Sequence, residues 1–383
     1  FMSKKYNIHI ISTPTLPVQY YHREYGINPF NQKTYLLSRA LTKNGIKTFF
    51  YGYDDSAMKC TKHFILGNNK DPLFKKRTET ITSLQIDALN LWTSNFIEYY
   101  EKNKADGTID GGSIFLFNRN CRIMPKLWDV LNKDNAIICE YPVAYLTSAS
   151  TYKIFESHSI QHLYMGYQHR ADTEHLSLHD GKKFDTTNNS FFTYKQIRPI
   201  MDTDTFTFTK KSEDYYLYVG RILEAKGIGI LLSLVTQFPD KKFVFMFSSY
   251  HTPHALDDAK NVTIYTAPEF EKKVEIIRNA RALISPTLAS ECFGSAHIEG
   301  QLCGVPSITT DWGAFTETIK NGVNGFRCRS WSDFCSAMSS IKDLDREKIS
   351  KDAHDKYGEA QLGEFNHFFE YMATCKLNNW YNS

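Results

Sequence analysis

Glu291 and Glu299 stand eight residues apart around Phe293-Gly294-Ser295, where the apolar run ALISPT gives way to the helical pattern SAHIEGQLCG. One carboxylate falls just before a helix start and the other about one turn inside it, so the two can flank a single ligand from different sides. Gly294 lets a backbone approach a ligand closely, and the free N–H groups and positive dipole end of the helix favour an anion. A second pair of charges has similar punctuation. In YYLYVGRILEAKG, Arg221 follows a strand-like run directly and Lys226 precedes the next helix. Two fixed cations beside a helix start suit a diphosphate, and on a departing diphosphate they act where negative charge grows in the transition state.

The elements around these residues repeat in a simple order. Residues 215–220, 242–247, 262–266, 282–287 and 306–311 read as strands, interleaved with helical stretches at 227–238, 270–280 and 295–303. Such alternation predicts a parallel, doubly wound sheet, whose ligands bind outside the carboxyl ends of the strands. The first half has the same rhythm: strands at 6–12, 47–52, 113–118 and 136–142, a helix from Thr34 to Lys43 closed by Asn44-Gly45, and an amphipathic helix over 79–102. Between the halves, 170–213 is polar and weakly periodic, as an inter-domain connection is.

A chain of 383 residues also exceeds the ~250–300 at which single cores stop growing. The expected fold is therefore α/β, with two Rossmann-like doubly wound domains facing across a cleft. The expected division is 1–205, 206–360 and a last helix over 361–383. That helix carries Phe365, Phe368, Phe369 and Met372 on one face and is expected to return to the first domain.

Charge and composition narrow the function. Lys and Arg number 45 against 42 Asp and Glu, which disfavours a general nucleic-acid binder, since phosphate contacts need a basic face. The eight cysteines, scattered without a C-x-x-C pair, read as reduced thiols rather than a zinc or redox site. No apolar run reaches the ~18 residues of a membrane span, and the start FMSKKYNIHIIS lacks a signal-peptide core. A cytoplasmic protein is expected, with peripheral membrane contact left open. No G-x-G-x-x-G follows a strand, which weighs against a dinucleotide dehydrogenase.

The segments YVGRILEAKG (218–227) and SPTLASECFGSAHIEGQLCGVPSITTDWGAFTETIKNGVNGF (285–326) resemble the donor half of retaining glycosyltransferases of family 4, which have the GT-B fold. The resemblance extends over about 215–327. It implies that Arg221 and Lys226 hold the diphosphate of a UDP-sugar or GDP-sugar, with Gly220 also among the donor-binding residues. Glu291 would lie against the donor sugar and Glu299 on the ribose hydroxyls. Backbone groups of Phe293, Gly294 and Ser295 would reach sugar and phosphate, and Tyr265 and Thr266 the nucleobase. Arg221, Lys226 and Glu291 form the expected catalytic set, with no metal and no cofactor. In the first domain Glu140 stands where family members often place a histidine by the sugar. The long segment 12–32 replaces a Gly-Gly turn.

Other features compete with this reading. Asp202-Thr-Asp204 has the form of a metal-binding D-x-D, but it falls in the connection and is expected to be structural. His158, His162, His169, His175 and His179 include two i, i+4 pairs and read as loop and surface residues. His169, after the strand-like HLYMGYQ (162–168), is a candidate for the cleft. Tyr20, Tyr21, His22, Arg23 and Tyr25 read equally as a stacking wall for an acceptor sugar or as surface loop. A GT-B phosphorylase, a sugar-nucleotide epimerase and a nucleotide-sugar-binding protein with little turnover are the rival functions.

Overall fold

The computed structural model describes residues 6–13, 18, 28–68, 70–74, 86–118, 125–146, 148, 150–167, 194–247 and 259–375. Tyr20, Tyr21, His22, Arg23, Tyr25, His169, His175 and His179 lie outside these residues.

Two all-parallel sheets organise the chain. The first contains β1 (Asn7–Ile11), β2 (Thr48–Tyr53), β3 (Lys62–Gly67), β4 (Ser113–Phe117), β5 (Ile137–Val143), β6 (Tyr152–Phe155) and β7 (Tyr194–Gln196), in the order β3-β2-β1-β4-β5-β6-β7. The second contains β8 (Tyr215–Gly220), β9 (Lys242–Phe247), β10 (Val262–Thr266), β11 (Ala282–Ser285), β12 (Ser307–Thr310) and β13 (Gly325–Cys328), in the order β10-β9-β8-β11-β12-β13. In each sheet the order reverses once, between β1 and β4 and between β8 and β11. Loops diverge at such a reversal and leave a crevice at the carboxyl edge. The loops carrying Arg221 and Glu291 flank the second reversal.

Buried parallel strands read as apolar runs because helices cover both faces. SIFLF in β4 is buried at every position and KFVFMF in β9 at all but the first. The helices are α1 (Pro29–Lys43), α2 (Ile86–Ala105), α3 (Pro125–Lys133), α4 (158–167), α5 (Ile228–Gln237), α6 (Phe270–Asn279), α7 (Ser295–Leu302), α8 (Phe315–Thr318), α9 (Trp331–Ser340), α10 (Arg346–Tyr357) and α11 (Leu362–Cys375).

Strands β3, β6, β7 and β13 were not among the expected strands, and two expected elements take another form. Helix α1 begins five residues before Thr34, at Pro29, behind an Asn28 side chain that accepts hydrogen bonds from the N–H groups of Phe30 and Asn31. The polar residues Asn31, Gln32 and Lys33 give this first turn no apolar period, yet all three are buried. Residues 162–167, expected as strand, are helical. The Ser157 hydroxyl accepts from the Ile160 N–H at 3.3 Å and caps α4, and a short apolar run does not by itself distinguish strand from buried helix.

The chain crosses between domains twice. Ile197 and Ile200 pack in the first core, while Met201 and Phe206 pack in the second. Tyr357 of α10 still belongs to the second core. Helix α11 then places Leu362, Phe365, Phe368, Phe369 and Met372 in the first core beside Tyr6, Ile8 and Leu37. Each large apolar side chain fully buried there contributes about 1.5–3 kcal/mol relative to exposure, so α11 ties the two domains together. Asp202 is occupied at the first crossing: buried, it accepts from the Thr205 hydroxyl at 2.7 Å and from Arg39 at 3.3 Å. Among the described residues no helix is long and apolar enough to cross a membrane.

Candidate functional site

The site is assembled from loops at the carboxyl edge of the second sheet. After β8 the chain passes Arg221 and makes one short turn over Glu224–Lys226 before entering α5. Gly227 joins these two in the left-handed region, at φ 74°. A Cβ there would lie 1.9 Å from the Pro286 carbonyl oxygen, so the two loops touch backbone to backbone at this glycine. The contact continues through the N–H groups of Leu288 and Ala289, which both donate to the Ala225 carbonyl at 2.9 and 3.0 Å. On its other side the loop after β11 is held by the loop after β12. The Ala314 N–H donates to the Glu291 carbonyl at 2.9 Å, and the Thr310 hydroxyl to the Thr287 carbonyl at 2.7 Å.

This bracing brings Lys226 and Glu291 together. Lys226 Nζ lies 2.5 Å from Glu291 Oε2, with both side chains about a fifth to a quarter exposed. Cation and carboxylate therefore meet where the two loops join, at the sheet reversal and beside the start of α7. Gly294 caps that helix at φ 81°, a conformation that L side chains rarely adopt. Arg221 is exposed, and its carbonyl accepts from the Tyr218 hydroxyl at 2.7 Å. Phe293 is buried, with its ring in the second core against Tyr357. Tyr265 and Thr266 end the edge strand β10, two strands from β8, and Lys272 Nζ lies 6.0 Å from the Tyr265 ring centre.

Glu299 is placed apart from the first carboxylate. On α7 it is 2% exposed, with Lys273 Nζ of α6 at 2.8 Å from Oε2 and 3.1 Å from Oε1. Gln32 Nε2 of the first domain donates to Oε1 at 3.4 Å. Neither partner was visible in the sequence. Lys273 lies in the run FEKKVEIIRN, which reads as a solvated helix face, and Gln32 belongs to the hidden first turn of α1.

The two domains meet around this constellation. Ser157 Oγ donates to the Cys292 carbonyl at 2.7 Å. The Glu317 carboxylate accepts from the His158 and Ser159 N–H groups at 3.0 and 2.7 Å, a carboxylate placed on the positive end of α4. Lys33 pairs with Glu156, both buried, and its Nζ lies 5.5 Å from the Phe293 ring centre. Glu140 is buried on β5, where its carboxylate accepts from the Tyr145 hydroxyl at 2.9 Å. His158 and His162 share α4 with ring centres 6.1 Å apart. Among the described residues no group of three or more His, Cys, Asp or Glu is placed to hold a metal.

Two titratable groups inside the constellation are set by burial. Desolvation pushes the Cys292 thiol up to about 12, with Glu156 and Glu291 adding to it, so it is not a thiolate nucleophile near neutral pH. His297, in the first turn of α7, is driven down to about 4, first by burial, with Lys226 lowering and Glu291 raising it. Its Nδ1 has no hydrogen-bond partner among the described residues. A histidine buried neutral binds its proton first in the unfolded chain, so it stabilises the fold above pH 6.5 and that stability is lost as pH falls towards 4. At roughly 1.4 kcal/mol per unit, the loss is on the order of 3 kcal/mol. Thermal melts across pH 4–7 are expected to fall more steeply for the native chain than for His297→Gln. Parallel pH profiles would remove His297 as the source.

This is a GT-B fold: two Rossmann-like domains, each built on one parallel sheet, facing across a cleft. The family profile described as glycosyl transferases group 1 matches residues 213–343, the whole second sheet and the loops just described. The chain is 25% identical over 175 residues to the capsular polysaccharide biosynthesis glycosyltransferase CapM of Staphylococcus aureus, covering 43% of this chain and 45% of CapM. It is 26% identical over 151 residues to a D-inositol 3-phosphate glycosyltransferase of Mycobacterium sp. (strain KMS), covering 34% of each. The matched part thus spans less than half the length of these relatives. Over nearly the whole chain the fold resembles Anabaena HepE, solved in complex with UDP-glucose: the TM-score is 0.61 at 10% identity, covering 94% of this chain and 98% of HepE.

Proposed function

We propose that the chain is a retaining glycosyltransferase of family 4 type, moving a sugar from a UDP-sugar or GDP-sugar to an acceptor hydroxyl bound mainly by the first domain. The observation that carries the proposal is the Lys226–Glu291 pair at the second sheet reversal. A cation beside a carboxylate at that place supports a phosphate contact next to a sugar contact, and the start of α7 would add N–H donors for the same anion.

In this reading Arg221 and Lys226 hold the diphosphate, Glu291 contacts the sugar and Glu299 the ribose, while Tyr265 and Thr266 flank the base. The acceptor oxygen bonds to the anomeric carbon on the face from which the diphosphate departs. The bond from that carbon to the phosphate oxygen breaks, and the departing diphosphate takes the acceptor's proton. No side-chain nucleophile is required. Both curated relatives are named as glycosyltransferases and HepE was solved with UDP-glucose, which favours transfer over phosphorolysis or epimerisation.

The test is the stereochemistry of the product. UDP- and GDP-sugars that raise the melting temperature are incubated with candidate acceptors in excess EDTA, and the anomeric configuration is followed by NMR. Transfer with retention is expected to proceed. An inverted product would overturn the retaining assignment, and activity abolished by EDTA and restored by manganese would overturn the metal-free one.

A further inference from the structure

The ion pair between Lys273 and Glu299 has no place in the scheme above, yet it is buried and engages both carboxylate oxygens. Glu299 is 2% exposed, and a carboxylate so deeply buried is tolerated only when paired and hydrogen-bonded. Lys273 Nζ reaches both of its oxygens, at 2.8 and 3.1 Å. The ammonium is fixed in turn: the side chain is 12% exposed, and Nζ lies 5.7 Å from the ring centre of Phe206. The second neighbour of the carboxylate, Gln32 Nε2, sits at 3.4 Å, beyond the usual N–H to O range.

We infer that Lys273 is a positioning residue, which fixes the plane of the Glu299 carboxylate so that its remaining acceptor sites read the vicinal hydroxyls of a ribose. The inference rests on the ribose role proposed for Glu299. An ionised carboxylate offers about four lone-pair sites. Lys273, approaching from α6, engages one on each oxygen. Of those left, one is in use among the described residues, by the long contact from the first domain. A carboxylate free to rotate presents these sites in many orientations, whereas one held at both oxygens presents them in one. Lys273 itself touches no ligand here. Its contribution is to the preference for a ribonucleotide over a deoxyribonucleotide.

The experiment measures Kd by calorimetry for UDP and GDP and for their 2′-deoxy counterparts, in the native chain, Lys273→Met, Lys273→Arg and Glu299→Gln. The native chain is expected to prefer the ribonucleotide by about 10-fold or more, the effect of one hydrogen bond to a charged group. Glu299→Gln and Lys273→Met should each shrink that ratio to about 2-fold, and Lys273→Arg should recover most of it. If Lys273→Met melts below the assay temperature, Lys273→Gln takes its place with the same expected ratio. A native chain that binds both nucleotides equally would overturn the ribose role of Glu299 itself. A ratio lost in Glu299→Gln but intact in Lys273→Met would leave that role standing and overturn the positioning role alone. A pure stability defect would weaken both nucleotides equally and keep their ratio, and that result too overturns the inference.

Discussion

Replacing Lys226 by alanine is expected to lower kcat by ~10²–10³, the effect of deleting one preorganised donor from a site of developing charge. A diphosphate gains negative charge as the glycosidic bond breaks. Contacts to it strengthen in the transition state and appear in kcat more than in KM. The geometry adds a condition that the sequence did not contain. Lys226 is also the partner of Glu291 at 2.5 Å, so its removal releases the carboxylate proposed to face the sugar. Arg221→Lys separates the two effects, because Arg221 lies outside that pair. It is expected to be costly for a different reason: an ammonium cannot reproduce the guanidinium fork on two phosphate oxygens. Steady-state transfer, or donor hydrolysis without an acceptor, measures both. If the two variants raise KM and leave kcat intact, the pair only holds the donor, and the start of α7 at Ser295 becomes the source of charge stabilisation.

Gly227→Ala is expected to be the most damaging single methyl group in the second domain. The added carbon would be forced into a left-handed backbone at φ 74°, 1.9 Å from the Pro286 carbonyl oxygen. The neighbour is backbone, and that backbone is already bound to Ala225 through Leu288 and Ala289. Relief therefore requires the loops after β8 and β11 to part. A destabilisation of about 3 kcal/mol or more is expected from backbone strain and overpacking together. That corresponds to a fall of about 6–12 °C in the melting temperature, read by calorimetry. A fall of under about 2 °C would mean that the loops separate freely, and the bracing of Lys226 against Glu291 would lose its support. Gly229→Ala is the control, since a Cβ there meets nothing within 4 Å.

By itself the sequence determined most strands of the second sheet, β8 to β12, and the loops between them. Strands such as YYLYVG and KFVFMF are buried in a parallel sheet, so they are continuous apolar runs whose glycine and charge punctuation marks the loops. Arg221, Lys226, Glu291 and Gly294 are legible because they occupy loop ends, where local spacing alone fixes which edge of the sheet a residue reaches. Tertiary structure decided what depends on distant partners. Glu291 and Glu299, eight apart in sequence, diverge to different cations: Lys226 comes from the loop after β8, and Lys273 from a helix whose charged run looks solvated. The buried first turn of α1, with Gln32 and Lys33, carries no apolar period because its burial is against Glu156, Glu299 and Phe293 of other elements. Residues 162–167 belong to helix α4, whose start at 158–160 is held by Ser157 and by Glu317 of the other domain. Local periodicity records which side of an element faces a core, but a buried polar contact is recorded only in the pair. The two members of such a pair, 123 residues apart for Lys33 and Glu156, meet only when the chain has folded.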